Sequence, residues 1–449
     1  MRQASLRWRA GGAALLSLFL AARLAGQAAC APQRADTLPL VFTGVTLWDG
    51  TGSAGRPGTT IVVTGERVTA VFPDGSRPLP PGARVQALPG KFVIPGLIDG
   101  HTHVAGQPSG EDNHERTARR LCRALWGGVT AVRDMAGDAR TLASLQRDAL
   151  VGDLASPDIY YSALWAGPEF FSDPRTADAS AGAAPGSFPW MRAVDDRTDL
   201  RQAVAEARGS GATSLKLYQA MSPALVARIA AEGKRQGLEL WAHAAMRAVR
   251  PSEMAAAGIG TVSHAFLLLY ELTPDEMAQV RASRGDTTLA LFRNRRFDQL
   301  FAAYRAHGTV LEPTLFIMED DTTGARLRVA SYLSRRAHAA GVPLLAGTDS
   351  LGNGNADGYA LPNLHAELEL LVHAAGLTPA EARVAATRTG APVPGRERDR
   401  GTVEAGKLAD LVVLDADPTR DIRNTRTVRL VVKRGAVYAP WEGAGHGSE

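Results

Sequence analysis

The stretch Lys91–His103 reads KFVIPGLIDGHTH, an apolar run that ends on two histidines separated by one residue. A short apolar run bounded by glycines predicts a buried strand, and alternate residues of a strand point the same way. His101 and His103 therefore leave the strand on one side, and imidazole is the commonest ligand of divalent metals. Two exposed histidines flanking a loop residue would give the same letters. The pair gains meaning from what the rest of the chain sets beside it.

Outward from that stretch, residues 93–395 alternate strand-like and helical runs. Phe92–Asp99 is the first of eight candidate strands. Val129–Met135, Asp158–Trp165, Thr213–Gln219, Leu238–His243, Thr261–Phe266, Thr309–Phe316 and Val342–Ser350 follow. Segments such as RTDLRQAVAEARGSG and ALVARIAAEGKRQG lie between them and end on glycine, as helices often do. Eight such units predict an α/β fold, a (β/α)8 TIM barrel. The Pro/Gly/Ala-rich insert 166–189 reads as a loop over the barrel mouth. Residues 38–92 and 398–440 instead alternate short β-like runs with turns. The two ends predict one small discontinuous β-sandwich domain, and 449 residues suit a large barrel with such an appendage. Residues 31–37 and 442–449 read as mobile tails.

The net charge of +4 originates in the first thirty residues, which hold Arg2, Arg7, Arg9 and Arg23 and no acid. The remainder is balanced, which argues against nucleic acid as a partner. Residues 1–30 have the form of a signal peptide: a basic start, an apolar stretch Ala13–Ala22 and small residues beyond. That stretch is too short for a transmembrane helix. The expectation is a periplasmic or secreted protein. Gln27-Ala28-Ala29-Cys30 is a poor lipoprotein box, so lipid anchoring at Cys30 is the alternative and the one route to a membrane. The other cysteine, Cys122, is expected to pack as a small hydrophobe, with no disulfide framework in the chain.

A TIM barrel carries its active site at the C-terminal ends of its strands. His101 and His103 follow the first strand, Lys216 lies on the fourth, His243 ends the fifth, His264 is on the sixth and Asp349 ends the eighth. Here the chain resembles the amidohydrolase superfamily of metal-dependent hydrolases. The resemblance rests on VIPGLIDGHTH, GGVTAVRDM, the Lys of TSLKLY, the His of LELWAHA and of GTVSHA, the Asp of LLAGTDS, and the closing GTVEAGKLADLVVLDADP (Gly401–Pro418). HAELELLVHAAGLTPAEARVAATRTGA (His365–Ala391) brings it nearest the imidazolonepropionase-like branch that includes Xaa-Pro dipeptidases.

The resemblance implies two divalent metal ions, Zn²⁺ or a neighbour such as Mn, Fe or Co. His101, His103 and Asp349 would hold one, His243 and His264 the other. It further implies that Lys216 reacts with CO₂ to a carbamate that bridges them, since an ammonium has no acceptor. A lysine ion-paired inside the barrel over a single metal is the competing reading. The implied reaction is hydrolysis of a carbon–nitrogen bond in a small amide, a dipeptide or N-acyl amino acid. Cyclic amides, lactones, phosphotriesters or a vestigial metal scaffold are the alternatives. Asp349 would shuttle the proton, unless it merely caps a helix. Tyr218, on the barrel-facing side with Lys216, would donate to the oxyanion or pack as a core tyrosine. Arg133 and Asp134 are expected to pair near the mouth. His307, His338, His365 and His373 are expected on helices or in packing, His114 lies near the mouth, and His446 falls in a tail. A homo-oligomer is compatible with the chain.

Overall fold

The computed structural model describes residues 30–105, 114–180, 183–283, 286–350, 361–391 and 399–438. Residues 1–29, residues 351–360 and residues 439–449 with His446 lie outside the described residues. Seventeen strands in two sheets are found among those described.

The first sheet takes β1 (Leu40–Leu47), β2 (Arg56–Thr64), β3 (Arg67–Pro73), β4 (Arg84–Ala87) and β5 (Phe92–Pro95) from one end of the chain. From the other it takes β15 (Leu411–Leu414), β16 (Val428–Lys433) and β17 (Ala436–Tyr438), in the order β17-β16-β15-β5-β1-β2-β3 with β4 against β1. Val68 N donates to Lys407 O and Ala409 N to Glu66 O, so the β3 edge rolls back toward β15. Phe42, Ile61, Val68, Val93, Leu411 and Val432 share the core inside.

The barrel holds β6 (Leu97–Thr102), β7 (Val129–Asp134), β8 (Asp158–Ala166), β9 (Ser187–Phe188), β10 (Met191–Ala193), β11 (Ser214–Leu217), β12 (Glu239–His243), β13 (Thr261–Ser263) and β14 (Val310–Glu312). The run from β6 through β7, β8, β11, β12 and β13 to β14 is parallel throughout. The eighth stave is irregular. Leu311 N donates to Pro343 O and Leu345 N to Leu311 O on one side, and Gly100 N donates to Ala346 O on the other. A Cβ on Gly100 would stand 2.8 Å from Leu345 Cδ2, so this closing segment comes too near for a regular ladder beside any larger residue.

Several expectations are revised. The single strand expected over Phe92–Asp99 is two, broken at Gly96. There a Cβ would collide with Thr130 Oγ1, so the chain crosses between the sheets at a point only glycine fits. The insert 166–189 is not a bare loop. It forms a turn Pro168–Ser172, a helix Pro174–Ala179 and β9, the first strand of the β9–β10 hairpin. β7 pairs with β8 over Asp158–Tyr161 only, and β10 pairs with Leu164–Ala166 higher up.

Cys30 and Cys122 form a disulfide, with Cα atoms 5.7 Å apart. This corrects the expectation of a free, packed Cys122, and it occupies the sulfur that lipid attachment at Cys30 would require. The sequence could not show it because 92 residues separate the two. The pair lies with Leu125, Trp126 and Tyr438. No described helix is long and apolar enough to cross a membrane.

Candidate active site

The six candidate ligands and Tyr218 all line one cavity of about 930 Å³ at the C-terminal ends of the barrel strands. His101 lies on β6 and His103 just beyond it; Lys216 is on β11, His243 ends β12, and His264 follows β13. Asp349 closes the irregular stave, its N–H donating to His101 O. Pro313 and Thr314 halt β14, and His264, Thr314 and Asp349 all have left-handed backbones, with φ of 71°, 50° and 54°. Each such conformation costs about 1–3 kcal/mol, and such strain gathers at functional sites.

Asp349 Oδ1 lies 3.0 Å from His101 Nε2 and 2.8 Å from His103 Nε2. The ligand atoms of His101, His264 and Asp349 all fall within 4.8 Å of one another. The His243 ring centres 4.6 Å from that of His264. Against the cost of burial, Asp349 and Glu312 push His101 up to about 9. His101 and His103 in turn hold the buried Asp349 carboxyl well below its usual range. Burial, with the charge of neighbouring groups, keeps His243 far below the ordinary imidazole value. Burial lowers His264 likewise, although Asp349 opposes it.

The far sides of two imidazoles are fixed. Thr314 Oγ1 donates to Pro313 O at 2.8 Å, so its oxygen can only accept from His264 Nδ1, also at 2.8 Å. The proton thus sits on Nδ1, and Nε2 presents its lone pair to the cavity. His101 Nδ1 lies 2.7 Å from Glu312 Oε2, an acceptor, which keeps a proton on Nδ1 and turns Nε2 toward the cavity and Asp349. Glu312 is fully buried and also accepts from Ser263 Oγ at 2.7 Å. Ser263 Oγ in turn accepts from Lys216 Nζ at 3.1 Å. The other oxygen of Glu312, Oε1, has no hydrogen-bond partner. Gly347 passes so close that a Cβ there would collide with Glu312 Oε1.

Glu312 was not singled out in the sequence. The signal available was an acid in the middle of the apolar stretch TVLEPTLF, where an unpaired carboxylate is costly. Lys216 is 2 % exposed, and burial pushes it down to about 8 while Glu312 and Asp349 hold it up.

Tyr218 follows β11, its ring centred 4.3 Å from that of His243 and 4.7 Å from Phe170. Arg133 does not pair with Asp134. It turns into the barrel, 3.2 Å from Glu239 Oε2 and 4.8 Å from the Trp241 ring. Asp134 instead accepts from the N–H groups of Val104 and Ala136, which braces the chain just after His103. The remaining described histidines stand outside the cavity lining. His365 is buried between Thr425 Oγ1 and Gly127 O, His338 lies 3.5 Å from Glu381, and His114, His307 and His373 are exposed.

Four imidazoles, a carboxylate and a buried lysine on one floor, with the Nε2 atoms of His101 and His264 turned inward, form a donor set suited to divalent cations of the zinc kind. The amidohydrolase family model matches residues 92–438. A 5-methylthioadenosine/S-adenosylhomocysteine deaminase from Moorella thermoacetica is 34% identical over 178 residues, 36% of this chain and 39% of that protein. An imidazolonepropionase from Pyrobaculum arsenaticum is 43% identical over 97 residues, 21% of this chain and 23% of that protein. The chain thus spans less than half the length of these curated relatives. A structure solved as a candidate prolidase from Bifidobacterium longum superposes with a TM-score of 0.66 at 25% identity, over 90% of this chain and 95% of that one. With the barrel, the strand-end residues and the family match in agreement, the chain belongs to the amidohydrolase family, hydrolases that act on carbon–nitrogen bonds.

Proposed function

We propose that this protein is an exported binuclear metallohydrolase that cleaves the amide bond of a dipeptide or N-acyl amino acid. The observation that carries the reading is the convergence of His101, His103, His243, His264, Asp349 and Lys216 on the floor of one large cavity. His101, His103 and Asp349 would hold one ion and His243 and His264 the other, with Lys216 carboxylated between them. When bound, such ions polarise a carbonyl and lower the pKa of water toward 7.

The chain's own groups do the rest. Asp349 accepts the proton of the attacking water and delivers it to the leaving amine nitrogen. Tyr218 donates a hydrogen bond to the oxygen that becomes negative as the carbonyl carbon turns tetrahedral. Burial of Lys216 favours its neutral amine, the form that adds to CO₂ with loss of one proton. The fold likeness to a candidate prolidase supports an amide as the scissile bond. The Cys30–Cys122 disulfide supports an oxidising destination, because such bonds persist outside the cytosol.

Metal content of the purified protein, with turnover on Xaa-Pro dipeptides, N-acyl amino acids and lactones in Zn²⁺ or Mn²⁺, tests the proposal. Two metals per chain and amide cleavage are expected, and Lys216→Ala should lose a metal. Silence across the panel with a full metal complement would overturn the reading in favour of a metal-binding scaffold.

A further inference from the structure

The floor of the cavity is polar and much of its wall is apolar. Met135, Leu164 and Met191 line one side, where the β9–β10 hairpin adds to β8. Phe266, Ile317 and Met318 line another part of it, in the turns after β13 and β14. Among the described lining residues the one carboxylate is Asp349, already engaged by two histidines on the floor.

The same lining includes Arg326, in the first turn of the helix Ala325–Ala339. It is exposed, and its guanidinium lies 6.0 Å from the centre of the Phe266 ring. It makes no ion pair within 4 Å with any described residue, although Asp321 is near enough to feel its charge. Among the described lining residues a free ammonium meets no spare acid, whereas a free carboxylate meets the Arg326 guanidinium, which can bind it in a fork. A volume near 930 Å³ lies at the upper end of the range for small-molecule pockets, with room for a large apolar group besides.

We propose that the substrate is an N-acyl amino acid, its bulky apolar acyl group packed against Met135, Leu164 and Met191 and its free carboxylate bound by Arg326. This rests on the hydrolase reading above and narrows it: a blocked amine in place of a free dipeptide N-terminus, with Arg326 as the specificity residue. Water adds across the amide, releasing the fatty or aryl carboxylic acid and the free amino acid.

The test compares N-decanoyl-phenylalanine, its methyl ester and the free dipeptide Ala-Phe. The acylated acid is expected to exceed both others in kcat/KM by about tenfold or more, the size of one solvent-exposed charged hydrogen bond. Arg326→Ala should remove that advantage through KM, leaving kcat and the ester unchanged. Free dipeptide cleaved as well as the acylated acid would overturn the proposal, as would an Arg326→Ala variant that slows acid and ester alike. Calorimetric binding of N-decanoyl-phenylalanine to Asp349→Asn separates the two readings. Binding that needs Arg326 without turnover in the parent protein upholds the substrate class and sinks the reaction. Binding indifferent to Arg326 sinks the class.

Discussion

Exchanging Glu312 for glutamine keeps the shape of a side chain and removes its charge. The carboxylate is fully buried, and its Oε2 takes two 2.7 Å hydrogen bonds, from His101 Nδ1 and Ser263 Oγ. A bond to a charged acceptor is worth about 1.5–3 kcal/mol, roughly twice a neutral one. Not all of that is lost, because the amide oxygen still accepts from one partner. Changing a carboxylate behind a metal-bound histidine typically costs about 10–100-fold in metal affinity, or about 1.4–2.7 kcal/mol. Glu312→Gln should therefore weaken the metal held by His101 by a factor in that range. The metal-free protein should melt near the parent temperature, since the oxygen Oε1, which has no hydrogen-bond partner, loses its charge at the same time. Competition against a chelating indicator gives the affinity, and calorimetry of the metal-free protein gives the melting temperature. An affinity within twofold of the parent would refute the role assigned to Glu312. A metal-free protein destabilised as much as its metal binding would assign the carboxylate to packing.

Gly347→Ala should lose metal affinity and several kcal/mol of stability together, because its Cβ would collide with Glu312 Oε1 and stand 2.9 Å from the His101 Cβ; a variant that unfolds and binds zinc as the parent does would contradict this. Cys122→Ser opens a 92-residue loop, for which chain entropy gives an upper figure of about 4–5 kcal/mol, read as a lower urea midpoint; an unchanged midpoint would show that the segment adds nothing. His365 is pushed down to about 4 by burial, against the pull of its bond to Gly127 O. Its folded value lies below the unfolded 6.5, so the stability it contributes is present above pH 6.5 and is lost as pH falls through about 4. The stability difference between the parent and His365→Asn should shrink by about 3 kcal/mol from pH 7 to pH 4, and a difference constant with pH would exclude the linkage.

How much of this was legible in the letters depended on whether a residue acts along the chain or across it. His101, Lys216, His243 and Asp349 could be placed because a strand fixes which way alternate residues point and a barrel fixes which end is open. The barrel itself followed from eight alternating runs. Glu312 was hidden because its partners, His101 and Ser263, come from other strands and no local pattern joins them. Arg133 looked ready for its neighbour Asp134, yet consecutive strand residues face opposite sides: Arg133 found Glu239 across the barrel, and Asp134 took the N–H groups of Val104 and Ala136 beside it. VPLLAGTDS has the composition of a strand, but the glycine it carries lets the backbone press on Glu312 and costs it a regular ladder. The insert 166–189 shows the same limit: its glycines and prolines announced turns and concealed the hairpin between them.

The crossing at Gly96 has a consequence for the order in which the molecule can assemble. β5 and β6 are one residue apart, so the strand that carries His101 is spliced directly onto a strand of the other sheet. β5 is flanked by β1 from the start of the chain and by β15 from its end, with Val93 directly opposite Val413. The first stave of the barrel is thus not clamped until nearly all of the polypeptide exists. Contacts so distant in sequence form slowly, because a long loop must close before they form. A chain that cannot clamp its first barrel strand before its last strands are made keeps that end of the barrel open for nearly the whole of its synthesis.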